Sequence, residues 1–125
     1  MHENEISQAV LESCIKIHKQ LGPGLLESVY EEILFYELNK KEIYCRRQVG
    51  IPVVYDQLKM ELGFRADIIV ENKVIIELKS IEAILDVHKT QLLTYLKITG
   101  LKLGLLINFN VALLKNGIVR IVNNL

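Results

Sequence analysis

Phe64-Arg65-Ala66-Asp67-Ile68-Ile69-Val70 runs through Glu71-Asn72-Lys73 into Val74-Ile75-Ile76-Glu77-Leu78-Lys79. Two runs rich in β-branched residues around a short polar break read as the arms of a hairpin. Glu77 and Lys79 are two apart on a strand, so their side chains leave the same face. If Glu71, Asn72 and Lys73 form a three-residue loop, Val70 pairs with Val74 and, counting outward, Asp67 sits opposite Glu77. Directly opposed residues share a face with Cβ atoms roughly 5 Å apart. A two-residue loop would shift the pairing and undo this geometry.

Two opposed carboxylates repel unless positive charge lies between them. Lys79 supplies part of it, and a divalent cation held by hard carboxylate oxygens, as magnesium prefers, would supply the rest. That combination implies phosphodiester hydrolysis: a metal to polarise the phosphate and activate water, and a lysine to orient that water or stabilise the transition state. The competing reading is an exposed Glu-x-Lys salt bridge, a common strand pattern. Against it stand Val74-Ile75-Ile76 before the pair and Ile81 after it, the context of a buried strand where two charges need a reason.

Working outward, Ile6, Val10, Cys14, Ile17 and Leu21 recur at steps of three and four, predicting a helix from Glu5 to about Gln20. Gly22-Pro23-Gly24 ends it. A second helix is expected from about Leu25 to Asn39, with Leu26, Val29, Ile33 and Leu34 inward. Strands are expected over Ile43–Tyr55, Met60–Val70, Val74–Leu78 and Lys102–Asn108, with a helix from Ile81 to Thr99 facing inward through Leu85, Leu92, Leu93 and Leu96. Asn116-Gly117 has turn chemistry, so Val111–Leu114 and Ile118–Val122 are expected to pair as a last hairpin. The order α-α-β-β-β-α-β plus a C-terminal hairpin gives an α/β mixed sheet with helices on its faces, and 1–125 reads as one domain.

The chain has 125 residues, 50% of them hydrophobic and 24% charged, which excludes intrinsic disorder as the leading class. Fifteen basic residues balance fifteen acidic ones, so bulk positive charge is not how this chain would grip nucleic acid. Arg46, Arg47, Lys59, Arg65 and Lys89 are the candidates for a local phosphate-contacting rim. Cys14 and Cys45 form no metal-ligand pattern and suit a reduced compartment, with a lone disulfide left open. The first residues lack the basic-then-apolar order of a signal peptide, and no apolar run approaches the roughly 20 residues of a membrane span. Cytoplasmic localisation is the expectation.

Asp67 with Glu77-Leu78-Lys79 resembles the PD-(D/E)XK motif, with Ala66 where proline stands in the name. Gly24-Leu25-Leu26-Glu27-Ser28-Val29-Tyr30 resembles the signature of the GxxExxY family within that superfamily. Gln91-Leu92-Leu93-Thr94-Tyr95 is similar to the QxxxY element of its RecB-like branch. The resemblance implies a restriction-endonuclease-like fold and a magnesium-dependent nuclease, with manganese as the alternative ion. It implies Asp67, Glu77, Lys79 and Glu27 as catalytic residues and Glu27, Asp67, Glu77 and Leu78 around the metal. Gln91, Tyr95 and Tyr30 would contact substrate.

The residues also have plainer readings. Glu27 suits the first turn of a helix through the dipole alone. Tyr30 fits a core aromatic with a satisfied hydroxyl. Gln91 and Tyr95, four apart, fit a polar stripe on one helical face. His88, a turn earlier, has no place in the motif and reads as a hydrogen-bonded histidine. DNA is the expected substrate, with RNA second. A catalytically silent nucleic-acid-binding or accessory module retaining the fold is the alternative, and a protein-interaction domain the third. A homodimer would help so small a domain cut both strands of a duplex.

Overall fold

The computed structural model describes residues 1–125. His2 starts the first helix earlier than the apolar stripe does. Its Nδ1 accepts the Asn4 N–H, and Glu5 returns a bond to the His2 N–H, a reciprocal cap that begins α1 at Glu3. Helix α1 (Glu3–Leu21) buries Ile6, Val10, Cys14 and Ile17, the face the spacing predicts. Cys14 is fully buried there, and both cysteines are free.

Helix α2 (Glu27–Lys40) is rotated from expectation. It buries Tyr30, Glu31, Leu34 and Leu38, whereas Leu26 is 73% exposed and Val29 borders solvent. Tyr30, Leu34 and Leu38 form the inward stripe at steps of four, and Glu31 beside them turns a charge inward.

The strands are β1 (Cys45–Tyr55), β2 (Leu58–Val70), β3 (Val74–Lys79), β4 (Leu103–Asn108) and β5 (Ile118–Val122), in the spatial order β1-β2-β3-β4-β5. Only β3 and β4 run parallel, joined by α3 (Asp86–Thr99). Helices α1 and α2 cover one face over Ile68, Val70, Ile76, Leu78, Leu105 and Ile107. Helix α3 covers the other through Leu92 and Leu96, over Ala66, Ile69, Ile75 and Leu106. β3 and β4 are buried on both faces, which is why they read as continuous apolar runs.

Two expectations are corrected. The C-terminal strand exists, but its partner is β4, paired antiparallel from Leu103↔Val122 to Ile107↔Ile118. Residues 111–114 are not a strand; Leu114–Gly117 is a short 3-10 turn. The free edge of β4 has its own backbone groups to satisfy, and β5 satisfies them. Helix α3 begins at Asp86 rather than Ile81, and Leu85 is 57% exposed. Ile81, the expected first residue, is tied elsewhere: Asn108 Oδ1 accepts the Ile81 N–H and Asn108 Nδ2 donates to the Ile81 carbonyl.

Candidate functional site

The β2–β3 ladder runs Val70↔Val74, Ile69↔Ile75, Ile68↔Ile76 and stops. The three-residue loop is present, with Glu71 and Asn72 at φ of 52° and 54°. One position further the strands part, and the Asp67 carboxylate enters the fork: its Oδ2 accepts the Leu78 N–H at 2.8 Å. A side chain thus replaces a main-chain acceptor where the ladder ends. Glu77 follows Ile75 on the α3 face and is 9% exposed; its Oε1 is buried with no hydrogen-bond partner. Lys79, next on that face, is half-buried and in no salt bridge.

Burial pushes the Glu77 carboxyl up to about 8, repulsion from Asp67 adds to the rise, and Lys79 opposes it. Asp67 is also raised, chiefly by burial, with Glu31 and Glu27 adding to the effect and the Leu78 N–H and Lys79 opposing it. Both acids therefore feel one low-dielectric environment short of positive charge. An orphaned carboxylate oxygen beside a second acid is the kind of donor set a hard divalent cation fits.

Glu27 opens α2 and lies across the end of β3. Its Oε2 accepts the Ser80 N–H at 3.0 Å, while Ser80 Oγ donates to the Leu25 carbonyl at 2.7 Å. Residues 24–28, Ser80 and Asn110 line an open cleft of about 520 Å³ on this side. No three His, Cys, Asp or Glu side chains stand close enough together to hold an ion as they are. Asp67 and Glu77 would supply the inner oxygens, with Glu27 at the rim. Leu78 has its side chain in the core, so only its main-chain carbonyl is available to an ion.

Tyr30 is corrected. It is fully buried, stacked on Phe109 with centroids 4.1 Å apart; its hydroxyl donates to the Gly22 carbonyl and accepts the Leu25 N–H. It holds the loop that presents Glu27 and has no surface for substrate. Tyr95 stacks on Phe64 at 3.8 Å, and its phenol is raised by burial and by the nearby Glu77 and Asp67. Gln91, a turn earlier, presents an exposed side chain. His88 Nδ1 accepts the Leu85 N–H and caps α3.

Sequence reasoning missed Glu31, Gln48, Ser80 and Asn108. Glu31 is 5% exposed and takes both Arg47 and Gln48. Arg47 therefore leaves the expected basic rim, and Arg46 bonds to Asn72. Buried, strand-terminal Asn108 gave no signal, because its partner Ile81 is remote in sequence and carries no motif. Counting Glu31, four carboxylates share this region with two cations, Lys79 and Arg47; an added divalent ion would balance them.

A family model described as the PD-(D/E)XK nuclease superfamily matches residues 4–121. No curated protein and no solved structure matches the chain. Members of that superfamily generally use divalent metal ions. The match spans nearly the whole chain, including every residue of the β2–β3 fork, and the chain belongs to the PD-(D/E)XK nuclease superfamily.

Proposed function

We propose that this chain is a magnesium-dependent nuclease of the GxxExxY group, in the RecB-like branch, hydrolysing phosphodiester bonds in DNA at the β2–β3 fork. The observation that carries the reading is the buried, partnerless Glu77 Oε1 beside Asp67, with Lys79 on the same strand face. A divalent ion bound there would polarise the scissile phosphate and lower the pKa of a water molecule. Asp67, fixed by the Leu78 N–H, and Glu77 would hold it, with Glu27 and the Leu78 carbonyl completing its surroundings. The Lys79 ammonium, free of any carboxylate partner, would neutralise charge gathering on the phosphoryl oxygens. Gln91 and Tyr95 would contact the substrate backbone from α3.

Plasmid, single-stranded DNA and RNA incubated with magnesium or manganese test this reading. Cleavage should require the metal and prefer DNA, and Lys79→Ala should lower the rate by about 10²–10³-fold, the size typical of a lost transition-state donor. Cleavage that survives Lys79→Ala would place the reaction elsewhere. A second reading, a silent nucleic-acid-binding or accessory module, is favoured by the zero net charge and by acids that do not yet converge. Binding that weakens with salt, without cleavage under any metal, would select it. The same preparation analysed by sedimentation tests the homodimer, and a tagged chain imaged in cells tests a cytoplasmic site of action.

A further inference from the structure

Arg47 and Gln48 are consecutive on β1, yet both reach one carboxylate on α2. Glu31 Oε2 accepts from Arg47 Nε at 3.1 Å, and Oε1 accepts from Gln48 Nε2 at 2.6 Å. Arg47 Nη2 also lies 3.0 Å from Oε2. Successive residues of a regular strand point to opposite faces, so this double engagement requires a break in the pleat. Gln48 supplies the break: its φ is +49°, in the left-handed region that side chains rarely adopt.

The break is shared with β2. Arg47↔Ile68 and Val49↔Ala66 bracket Gln48 opposite Asp67. On one side of that pair, Cys45, Ile68 and Val70 belong to the core under α1 and α2. On the other, Val49, Ile51, Phe64 and Ala66 pack with the core under α3. In unbroken strands Ala66 would share a face with Ile68, and Val49 with Cys45. Both strands change face at this one pair. Asp67 sits at the crossing, so its carboxylate falls between the strands to the Leu78 N–H. Glu31 is buried but Arg47 is open to solvent, and an ion pair screened by water adds little stability, which leaves placement as the gain here.

We propose that Glu31 is a positioning residue: through Arg47 and Gln48 it holds the pleat reversal that turns the Asp67 carboxylate into the β2–β3 fork. As geometry the inference stands alone; its consequence for metal binding rests on the function proposed above.

Amide hydrogen exchange at Leu78, read by NMR on the full chain, tests it. Asp67→Ala should speed exchange at Leu78 at least tenfold. Gln48→Val, whose β-branched residue resists the left-handed conformation, should do the same, while Gln48→Gly, which adopts it freely, recovers most of the protection. Glu31→Gln keeps the shape and loses the charge, and should fall between. Amides of Val10 and Cys14 in α1 should stay as slow as in the unaltered protein; if Gln48→Val loses these too, Glu31→Gln decides. Manganese affinity by calorimetry should drop about 10–100-fold in Gln48→Val, the usual effect of losing a ligand's support. Leu78 exchange unchanged in Asp67→Ala, or unchanged in Glu31→Gln, overturns the proposal. If the unaltered protein binds no manganese, the nuclease reading fails and Leu78 exchange still judges this one.

Discussion

Glu77 has the most consequential environment of any single residue. Its carboxyl rises from an ordinary 4.5 to about 8 through burial and the adjacent Asp67. An acid whose folded-state pKa lies above its unfolded one binds its proton more tightly when folded. Its contribution to stability is complete below about pH 4.5 and is lost as pH climbs through about 8. Asp67 is shifted in the same direction. The melting temperature without metal should therefore fall between pH 5 and pH 8.5, and Glu77→Gln should flatten the fall. The substitution should also stabilise the protein at pH 8.5, because a neutral amide carries no charge for burial and Asp67 to oppose. A gap between the two proteins that does not vary with pH would mean the acid is ionised throughout. Manganese should stabilise more strongly as pH rises, because an ion competes with those protons. Loop length and strand period made the neighbourhood of Asp67, Glu77 and Lys79 legible in sequence, but not its detail: the ladder stops at Ile68↔Ile76, and Asp67 turns between the strands instead of pairing with Glu77. Glu31 and Gln48 were not legible: their meeting depends on one left-handed residue and on the rotation of α2, neither of which has a sequence signal.

Among the elements, the connections were harder to read than the strands. The β2–β3 register followed from the loop, but the start of α3 and the partner of β5 followed from hydrogen bonds to distant chain. Tyr30 illustrates the same limit, since its hydroxyl ties the α1–α2 loop at Gly22 and Leu25. Tyr30→Phe should cost about 1–2 kcal/mol in denaturant unfolding, the value of bonds lost from a buried site. Metal affinity should weaken with it, because Leu25 in turn holds Ser80 beside Glu27. Helix α3 depends on the absence of a side chain beneath it. A Cβ on Gly104 would come within 2.9 Å of three atoms of Leu92, which is 1% exposed and has little room to withdraw. Gly104→Ala should destabilise by about 1–3 kcal/mol through overpacking, measurable as a lower denaturant midpoint at unchanged slope.

Over the whole molecule, the apolar surface is uneven. The outer half of the β1–β2 ribbon exposes Val54, Tyr55, Leu58 and Leu62, at 53% to 76% each. Pro52 lies on the sheet's edge strand, where it offers no N–H to an incoming strand. Threonine at any one of the four positions should raise solubility and move the melting temperature by no more than about 3 °C, as exposed substitutions do. A larger drop would show the ribbon packed against something in solution. No helix is long and apolar enough to cross a membrane. The thiol of Cys14 lies sealed under α1, and burial keeps it protonated far above the ordinary range. Only a thiolate reacts with an alkylating reagent. Each modification of Cys14 at neutral pH must then wait for α1 to lift from the sheet, which makes this sulfur a stopwatch for the opening of the molecule, readable as the mass gained on alkylation.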